Sequence, residues 1–403
     1  MNQKYDVIIA GCGASGMAAA VRSAEKSRKV LVLEKGERAG RKILASGNGR
    51  CNLMNSSAPR YYGEPDFALR VLEENPRTEI ESFLRQYGLF LTEEEDGRIY
   101  PFSYQASSVL SVLKTALAAT GVSVLFRHSV VSAVKTGQQF EIQTDNGDVF
   151  VSDRLIVTCG GAAQPKLGGT ADGYSLLKSM GHTIVPVSPA LVPLITDRRS
   201  ISGLSGIRAR CRVTLYHDST CLHTEKGEIL FTDYGVSGIC IMQCARFAGE
   251  EHAYLLIDFL SDAFRNQTDA VREMQRRRNR FPDMSPLILM NGIINERIAF
   301  AVMKQAGMSM REETAGDLSD RDLLRIVQTA YAYRIEITGT KGYDFAQVTA
   351  GGAVCREFNP ITMESLIVHG LYAAGEVLNV DGDCGGFNLM FALSSGLTAG
   401  NAV

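Results

Sequence analysis

A glycine-rich run close to the start of the chain has the residue types that bind a pyrophosphate. An apolar stretch over 5–10 precedes this run and a helix-forming stretch over 17–24 follows it, in the strand–turn–helix order of a dinucleotide-binding unit. The glycines permit a tight turn, and the positive end of the following helix would face the phosphates. The alternative is a glycine turn that binds nothing. The run, GCGASG, supplies Gly11, Gly13, Ala14, Ser15 and Gly16.

An acidic residue stands where a ribose-binding carboxylate is expected. Glu34 ends the next apolar strand over 29–33 and lies roughly 20 residues beyond the glycine run. We count Glu34 and the following Lys35 among the cofactor-binding residues. A carboxylate at this place accepts hydrogen bonds from the ribose hydroxyls. Because strand, turn, helix, strand and acid occur in order, the sequence predicts a dinucleotide site more strongly than the glycines alone would.

A second glycine-rich segment, GRKILASGNGRCN at 40–52, mixes cations with glycines. Glycine allows the backbone to approach a ligand closely, and cations with backbone amides favour an anion. Beside a dinucleotide unit this segment is predicted to surround a second phosphate or the edge of a flavin; in isolation it has the composition of a basic surface loop. Its candidate binding residues are Arg41, Lys42, Ser46, Gly47 and Asn52.

The C-terminal region repeats the order of strand, glycine turn and helix. The stretch GLYAAGE at 370–376 is a short strand that ends in Gly375 and Glu376, and the loop DGDCGGFN at 381–388 precedes a helix of small residues. A helix N-terminus after a glycine turn again suits a phosphate or a flavin. Two such cradles fit a long cofactor, and FAD has that length. The candidate binding residues of the loop are Asp381, Gly386, Phe387 and Asn388.

The composition argues against a protein that binds polyanions. The 403 residues carry a formal net charge of −2, with a sequence pI near 6.3. We therefore expect a small-molecule substrate and no nucleic-acid partner, and the arginine run at 276–278 is typical of a solvated helix face. No apolar stretch reaches the ~20 residues of a membrane helix, so we expect a cytoplasmic protein without a membrane span.

The nine cysteines and six histidines show no metal-ligand or redox spacing. No two cysteines form a CxxC pair, which argues against a zinc site, a disulfide framework and a disulfide reductase. Cys240 and Cys244 would share one face of a helix as packing residues. The histidines form no recognisable catalytic pair, and we expect no metal.

The pattern along the chain predicts an α/β protein with inserted domains. Residues 1–189 and 347–403 would form one discontinuous Rossmann-like domain. Residues 190–261 and 335–346 would form an inserted β-rich, barrel-like domain, and residues 262–334 an inserted helical domain.

Inside the first domain, the periodicity predicts further elements. Helical spacing occurs over 67–91 and again over 106–119. Alternating apolar and polar residues over 122–151 predict an antiparallel meander that crosses back over the first sheet. A strand over 154–158 follows, and it leads to Gly160, which we count among the cofactor-binding residues.

The motifs at both ends of the chain resemble those of the YhiN-type family of FAD-dependent oxidoreductases, also described as aminoacetone oxidase-like and including bile-acid 4,6-enone reductases. The resemblance implies a three-layer ββα Rossmann-like FAD-binding domain with inserted domains. It also implies a more distant likeness to fumarate-reductase-type flavoproteins, in which a flavin reduces an activated C=C bond. The matching segments are GCGASG at 11–16, GRKILASGNGRCN at 40–52, VTAGG at 348–352 and GLYAAGEVLNVDGDCGGFNL at 370–389.

By that resemblance, the adenosine half of FAD would lie against the first strands. Glu34 would bind the adenosine ribose, and Val131 would hold the adenine through its backbone. Gly375, Glu376 and Asp381 would bind the phosphate or ribityl part of the cofactor.

The flavin half, by the same resemblance, would lie between the 40–52 loop and residues 385–388, with the helix that starts near Asn388 aimed at the pyrimidine oxygen. The family usually has tyrosine where Phe387 stands and glutamine where Met390 stands. Because no histidine occurs between residues 1 and 127, histidyl attachment at the 40–52 loop is not available and we expect noncovalent FAD.

The resemblance implies NAD(P)H-dependent reduction of an activated C=C bond in a hydrophobic small molecule, such as a steroid or bile-acid-like enone. One alternative is a flavin oxidase of a small amine or amino ketone that uses O₂; another is a non-catalytic flavin-binding or nucleic-acid-associated protein. Only one GxGxxG motif is present, so NADH or NADPH would dock transiently. Arg50 and Cys51 are the first candidates for the proton donor. Substrate identity, nicotinamide preference and oligomeric state stay open.

Overall fold

A computed structural model describes residues 4–248, 252–309 and 314–403 of the chain. The chain forms two compact units. The first consists of Met1–Pro189 with Gln347–Val403, and the second consists of Ala190–Ala346.

The first unit is built on a mixed sheet that contains the N-terminal strand–turn–helix. Strand β1 pairs in parallel with β2 on one side and β10 on the other, and the order across the sheet is β7-β2-β1-β10-β9-β8, with β19 also beside β10. Helix α1 (Ala14–Glu25) connects β1 to β2. The strands of this sheet are β1 (Lys4–Ala10), β2 (Val30–Glu34), β7 (Ser123–Phe126), β8 (Val130–Thr136), β9 (Gln139–Thr144), β10 (Val149–Val157) and β19 (Leu371–Ala373).

Strand β10 differs from the sequence prediction of two strands. Its first half pairs antiparallel with β9, and from Val151 onward it pairs in parallel with β1. Ser152, which lies between the two predicted strands, is buried, and its hydroxyl donates to the carbonyl of Arg154 at 2.7 Å. The predicted meander therefore belongs to the main sheet and does not cross back over it, and β7 joins that sheet in parallel beside β2.

The predicted helical stretch at 67–91 is interrupted. Two helices, α3 (Pro65–Glu74) and α4 (Arg77–Gln86), replace it because Pro76 has no N–H to continue a helix. Leu91 instead begins strand β5. The other helices of this part are α2 (Arg41–Ala45), α5 (Ala106–Ala119) and α6 (Asp172–Ser179).

Short strands complete the first unit. Strand β6 lies between β3 and β5, β4 pairs with β20, and β11 pairs with β18. These strands are β3 (Met54–Asn55), β4 (Tyr61–Gly63), β5 (Leu91–Glu93), β6 (Arg98–Pro101), β11 (Ile184–Ala190), β18 (Val348–Ala353) and β20 (Val380–Gly382).

The two ends of the chain pack together in this unit. Helix α11 (Phe387–Ala402) lies against α1, and glycines allow the contact. A Cβ on Gly396 would lie 2.4 Å from the carbonyl oxygen of Ser15, and one on Gly400 would lie 2.6 Å from that of Ala19. Real Cβ atoms do not approach so closely, so these glycines set the distance between the two helices.

The second unit combines a closed barrel with helices. The barrel order is β12-β15-β14-β13-β16-β17, and the predicted α/β class with a Rossmann-like sheet and inserted barrel-like and helical parts is confirmed. Cys240 and Cys244 are buried on helix α7. The strands are β12 (Leu194–Thr196), β13 (Arg208–His217), β14 (Thr220–Phe231), β15 (Gly235–Ser237), β16 (Ala253–Asp258) and β17 (Tyr333–Thr340), and the helices are α7 (Ile239–Cys244), α8 (Gln267–Arg280), α9 (Glu296–Gln305) and α10 (Asp320–Tyr331).

Candidate functional site

The glycine run forms a tight turn between β1 and α1, and its glycines differ in the space that surrounds them. Gly11 has φ of 108°, and a Cβ on Gly16 would lie 2.1 Å from the carbonyl oxygen of Gly11. Both positions are thus closed to any side chain by the protein itself. A Cβ on Gly13, by contrast, would meet no atom of the described residues within 4 Å. The absence of a side chain at Gly13 leaves an open approach to the helix start.

The N-terminus of α1 is available to an anion. Gly13 is its N-cap residue, the first turn holds no acidic residue, and no side chain of the described residues caps it. The first N–H groups, which begin at Ala14 and Ser15, have no partner within the helix, and the helix dipole adds partial positive charge there. This is the arrangement that a pyrophosphate needs.

Glu34 lies beside this turn at the end of β2. Its Oε2 accepts a hydrogen bond from the backbone N–H of Cys12 at 2.8 Å, and its Oε1 accepts one from that of Gly36 at 2.7 Å. Each carboxylate oxygen has a second lone pair, which a ribose hydroxyl can use. Lys35 points instead to α6, where its Nζ lies 3.6 Å from Asp172.

The cations of the 40–52 loop are engaged by the protein. Lys42 Nζ lies 2.7 Å from Glu376 Oε2, so the structure brings these two predicted residues together. Arg41 Nη2 donates to the carbonyl of Lys166 at 2.5 Å, and the Ser46 hydroxyl donates to the carbonyl of Ile43 at 2.6 Å. Their side chains therefore shape the loop.

Arg50 and Cys51 follow in the same loop. The guanidinium of Arg50 bonds to Glu94 at 2.6 Å and lies 4.5 Å from the ring centroids of both Tyr100 and Tyr104. The Cys51 side chain is fully buried, and burial raises the pKa of its thiol to about 11. Arg50 thus anchors the loop at the surface, and Cys51 is a protonated thiol inside it.

Asn52 ends the loop and meets the C-terminal motif. A Cβ on Gly386 would lie 2.7 Å from Asn52 Oδ1 and 2.4 Å from the carbonyl oxygen of Met54. Asn52 Oδ1 is buried and has no hydrogen-bond partner among the described residues. A buried acceptor without a partner costs about 1–3 kcal/mol, so an oxygen left this way points to a donor on a bound group. The backbone of Gly47 also lies close to that of Asn52, since a Cβ on Gly47 would lie 2.9 Å from the backbone nitrogen of Asn52.

The loop that carries Gly386 is held by Asn388. Its Oδ1 accepts from the backbone N–H of Gly382 at 2.8 Å, and its Nδ2 donates to the carbonyl of Gly382 at 2.8 Å. The Asn388 side chain therefore closes the loop onto itself. Phe387 is buried against Tyr61, with ring centroids 6.2 Å apart.

Four side chains that the sequence analysis missed brace the same loop. Asn55 Nδ2 donates to the carbonyl of Gly385 at 2.9 Å, and the Tyr61 hydroxyl donates to that of Phe387 at 2.9 Å. The Tyr62 hydroxyl and Arg60 Nε lie 2.8 Å and 2.7 Å from the two carboxylate oxygens of Asp383. The only signal in the sequence was that these residues closely follow the 40–52 motif.

Helix α11 begins at this loop as α1 begins at the first one. Gly386 is its N-cap residue, with φ of 105°. Its first turn contains no acidic residue, and within the described part of the chain no side chain caps it. Its N–H groups and the positive end of its dipole thus remain available to an electron-rich atom.

The remaining predicted residues are dispersed around the two turns. Val131 is the extra residue of a bulge in β8, since Val130 pairs with Thr144 and Ser132 with Gln143, and its side chain is 57% exposed. A bulge residue is left out of the ladder, which frees its backbone for another partner. Gly375 is buried against Ser15 and Asp381 is buried in the β20–β4 pair, whereas Gly160, with φ of 73°, is partly exposed near Glu376.

Two features are absent from the part of the chain that the structure describes. No group of three or more histidine, cysteine, aspartate or glutamate side chains among them can hold a metal ion. None of the helices in the described ranges is long and apolar enough to cross a membrane.

Sequence comparison finds full-length relatives. The model of a family described as HI0933-like protein Rossmann domain matches residues 5–402. A 3-dehydro-bile acid delta(4,6)-reductase of Clostridium scindens is 35% identical over 98% of this chain and 98% of its own length. A ribosomal RNA dihydrouridine synthase of Escherichia coli is 27% identical over 98% of this chain and 96% of its own length.

Structure comparison finds proteins with the same fold at low identity. A 3-ketosteroid delta1-dehydrogenase of Sterolibacterium denitrificans superposes with a TM-score of 0.53 at 13% identity, covering 99% of each chain. A flavocytochrome c3 fumarate reductase in its open conformation gives a TM-score of 0.50 at 13% identity, covering 99% of this chain and 78% of the other. At such identities the likeness is one of fold.

Proposed function

The chain belongs to the HI0933-like Rossmann-domain family, and from this premise we propose that it is a FAD-dependent reductase of a C=C bond conjugated to a carbonyl. The family predicted from the sequence is confirmed. The observation that carries the proposal is the buried Asn52 Oδ1 beside Gly386, which has no hydrogen-bond partner among the residues that the structure describes. It lies at the start of helix α11, which no described side chain caps. An acceptor and a helix N-terminus at one place suit the pyrimidine edge of a flavin, which offers an N–H donor and a carbonyl oxygen.

The relatives support the reaction class through what their names have in common. A 3-dehydro-bile acid delta(4,6)-reductase adds hydrogen to double bonds conjugated to the C3 carbonyl. A dihydrouridine synthase adds hydrogen across a uracil double bond that is conjugated to a ring carbonyl. Both names therefore describe saturation of an activated alkene, and the more similar of these two relatives supports a hydrophobic, steroid-like enone as the substrate.

The residues of the first unit fit FAD along its length. The open turn at Gly13 and the first N–H groups of α1 would hold the pyrophosphate, and Glu34 would hold the adenosine ribose. The bulge at Val131 would offer its backbone to the adenine. When bound, FAD supplies hydride transfer from NADH or NADPH to the double bond.

The protein's own contribution near the flavin is orientation and electrostatics. The N-terminus of α11 would favour negative charge on the part of the flavin that is bound beside it. The bonds that Asn388 and Asn55 make within the 382–388 loop hold this helix start in place, so that little reorganisation is needed when charge develops. The flavin would be held without a covalent bond.

A uridine in RNA is the second candidate substrate, favoured by the name of the 27% identical relative. The arginine run on α8 does not support it. Arg276 pairs with Glu273 at 2.8 Å, Arg277 donates to the carbonyls of residues 288, 289 and 291, and Arg278 pairs with Asp320 at 2.8 Å. Arginines that are already paired in this way contribute little to RNA binding, because cations must be free to pair with the phosphates and release the counterions of the RNA.

The test separates the three reactions. The purified protein is loaded with FAD and supplied with NADH or NADPH and, in turn, a 3-keto-4,6-diene steroid, an rRNA fragment and an amino ketone under air. We expect nicotinamide consumption that requires the steroid and a product two hydrogens heavier. Dihydrouridine in the RNA would favour the second candidate, and hydrogen peroxide formed with the amino ketone would favour an oxidase. A protein that binds no FAD would contradict the proposal.

A further inference from the structure

Polar side chains from separate segments of the first unit surround Cys384 and the two glycines that follow it. Cys384 Sγ lies 3.9 Å from Gln347 Oε1. Arg98 Nε, on β6, lies 3.8 Å from the position that a Cβ would take on Gly385. Asn52 Oδ1, which has no partner in the described part of the chain, lies 2.7 Å from the corresponding position on Gly386. A thiol, a guanidinium and an open acceptor thus meet at the start of α11.

Cys384 is held firmly yet stays accessible. Its neighbours Asp383 and Gly385 are buried and bonded, Asp383 to Tyr62 and Gly385 to Asn55. The cysteine between them is partly exposed. A side chain fixed on both sides and reachable from outside has the properties of a reacting group, because its geometry is set before the substrate arrives.

We propose that Cys384 donates the proton that completes reduction of the double bond, and that Arg98 binds the carbonyl oxygen conjugated to that bond. This inference rests on the proposed function. Cys384 takes the place of Arg50 and Cys51 as the proposed proton donor, since Arg50 is held at the surface beside Glu94 and Cys51 is fully buried.

The proposed reduction adds one hydride and one proton to the alkene. A hydride that originates from NADH or NADPH forms a C–H bond at the β-carbon, and the π electrons move toward the carbonyl oxygen, where Arg98 stabilises the negative charge. The S–H bond of Cys384 breaks as its proton forms a C–H bond at the α-carbon. Water then returns a proton to the thiolate. The nicotinamide is oxidised by two electrons, and the alkene is reduced by two.

The surroundings suit both roles. Burial raises the pKa of the Cys384 thiol, the Arg98 charge lowers it in part and the Asp383 charge raises it, with a net upward shift. The thiol therefore carries its proton at neutral pH. Arg98 has five N–H donors, of which Asp96 engages Nε at 3.2 Å and Tyr100 engages another. The proposal assigns its remaining N–H donors to the carbonyl oxygen.

The first experiment separates the two halves of the turnover in the FAD-loaded protein. The rate at which NAD(P)H reduces the flavin and the rate at which an anaerobic 3-keto-4,6-diene steroid reoxidises it are measured for wild type, Cys384→Ala and Cys384→Ser. We expect both variants to lose about 10²–10⁴-fold in reoxidation by the steroid, because a general acid contributes that much. Flavin reduction by NAD(P)H should stay within about twofold, since no such proton transfer is needed.

Matched control variants test whether the loss of reoxidation is specific to Cys384 and Arg98. Cys221→Ala removes an exposed cysteine of the second unit, and it should reoxidise like wild type. Arg98→Gln should lose about 10²–10³-fold in reoxidation, while Arg272→Gln, whose side chain is 74% exposed, should not change it. Reoxidation of Cys384→Ala within threefold of wild type, roughly 0.6 kcal/mol, would overturn the inference and leave the proposed function standing. A wild-type protein whose reduced flavin reacts with no enone would overturn both.

A second readout does not depend on activity. Alkylation of each cysteine by iodoacetamide is followed by mass spectrometry, first in the protein without added ligand and then with FAD and the saturated 3-keto steroid product. Cys384 should be alkylated in the sample without ligand and protected in the sample with FAD and the steroid product. Cys221 should react equally in both samples. Failure of the ligands to protect Cys384 contradicts its place beside the substrate.

Discussion

Lys42 Nζ lies 2.7 Å from Glu376 Oε2, an ion pair between residues that are 334 positions apart in the chain. The other oxygen of Glu376 accepts a hydrogen bond from the backbone N–H of Thr349 at 2.8 Å. One carboxylate therefore connects the 40–52 loop, strand β18 and the turn after β19. Because Thr349 is fully buried, its N–H has no access to water if this acceptor is lost.

The first prediction separates the two functions of Glu376. Glu376→Gln keeps an oxygen for Thr349 and loses only the ion pair, which is partly exposed, so the free energy of unfolding should fall by about 0–1 kcal/mol. Glu376→Ala leaves a buried N–H without a partner and should lower it by about 1–3 kcal/mol more. Urea unfolding of the apoprotein measures both. Equal losses in the two variants would show that the Thr349 bond contributes nothing.

The parts of the site that could be predicted are those whose residues lie close together in the sequence. The glycine turn, α1, β2 and Glu34 lie within the first 34 residues, and their order follows from rules that need no long-range contact. The same holds for the turn and helix that end the chain. The tight turn could be predicted from Gly11 and Gly16, because the backbone approaches so closely at these two positions that no side chain fits.

Other parts depend on contacts that no local pattern encodes. Whether β10 is one strand or two is decided by Ser152, which is polar but buried between two neighbouring strands. Asn55, Arg60 and Tyr62 brace the 382–388 loop across more than 300 positions. The strands that carry Asn55 and Tyr62 are only two and three residues long, and Arg60 lies on no strand. Such short strands carry too little periodicity to be detected.

The second prediction uses two glycines of the same turn. Gly13 has extended backbone, with φ of −85° and ψ of −166°, and open space at its Cβ position. Gly13→Val should therefore fold with a melting temperature near that of wild type, yet lose bound FAD because its side chain occupies the approach to the helix start. Gly16→Val should fail to fold, since its Cβ would lie 2.1 Å from a carbonyl oxygen.

Thermal unfolding and the flavin absorbance of the purified variants check this prediction. A Gly13→Val protein that retains a full complement of FAD would contradict the assignment of the turn to the pyrophosphate. If Gly13→Val and Gly16→Val were equally unstable, the loss of FAD would reflect misfolding instead.

The third prediction concerns the pH dependence of stability through His182. Its ring nitrogens lie 2.9 Å from Glu357 Oε2 and 2.9 Å from the Ser365 hydroxyl, and its ring stacks on Phe358. Burial lowers the pKa of His182 below its ordinary value of 6.5, although Glu357 opposes this shift. The folded protein thus binds the proton more weakly than the unfolded chain, so this contribution to stability is present above pH 6.5 and is lost as the pH falls.

Glu357 acts in the same direction. Burial raises the pKa of Glu357, but hydrogen bonds from Thr183 and the bond to His182 outweigh burial, and the net pKa lies below its ordinary value of 4.5. Its contribution is likewise lost as the pH falls below that value. The free energy of unfolding of the apoprotein, measured by urea from pH 8 to pH 4, should decline more steeply in wild type than in His182→Gln. Parallel declines in the two proteins would rule out this linkage.

The fourth prediction tests whether the arginines of α8 are structural. Arg277 Nη1 donates to the carbonyls of Ile288, Leu289 and Asn291, and its Nε bonds to Glu273 at 2.7 Å. Arg277→Ala should lower the free energy of unfolding by about 1.5–3 kcal/mol, as expected for hydrogen bonds from a charged donor. Arg272→Ala, at an exposed position of the same helix, should change it by less than about 0.5 kcal/mol.

Chemical unfolding measures the stabilities of these variants, and a filter-binding titration with rRNA fragments tests the competing role. Neither substitution should alter RNA binding. Reduced RNA affinity in Arg277→Ala, with stability unchanged, would instead assign this helix to a nucleic-acid interface.

The fifth prediction concerns Asn52, whose buried Oδ1 has no hydrogen-bond partner in the described ranges of the chain. Asn52→Leu replaces the amide by an apolar group of similar size, so the apoprotein should be unchanged or more stable, by up to about 1–3 kcal/mol. The same substitution should weaken FAD binding by about tenfold or more, because it removes the acceptor for the flavin's donor. Quenching of flavin fluorescence measures the affinity, and urea unfolding measures the stability.

Asn55→Leu is the matched control for Asn52→Leu, in which we expect unchanged or higher stability together with weaker FAD binding. Asn55 has its partners already, since Nδ2 donates to the carbonyl of Gly385 at 2.9 Å and Oδ1 accepts from the backbone N–H of Ser57 at 2.9 Å. Its loss should therefore destabilise the apoprotein. If Asn52→Leu behaved like Asn55→Leu and also left FAD affinity intact, Asn52 would serve the fold alone. A gain in stability together with a loss of affinity is the result that only a ligand-facing acceptor produces, because the unpaired oxygen is a cost to the apoprotein and a contact in the complex.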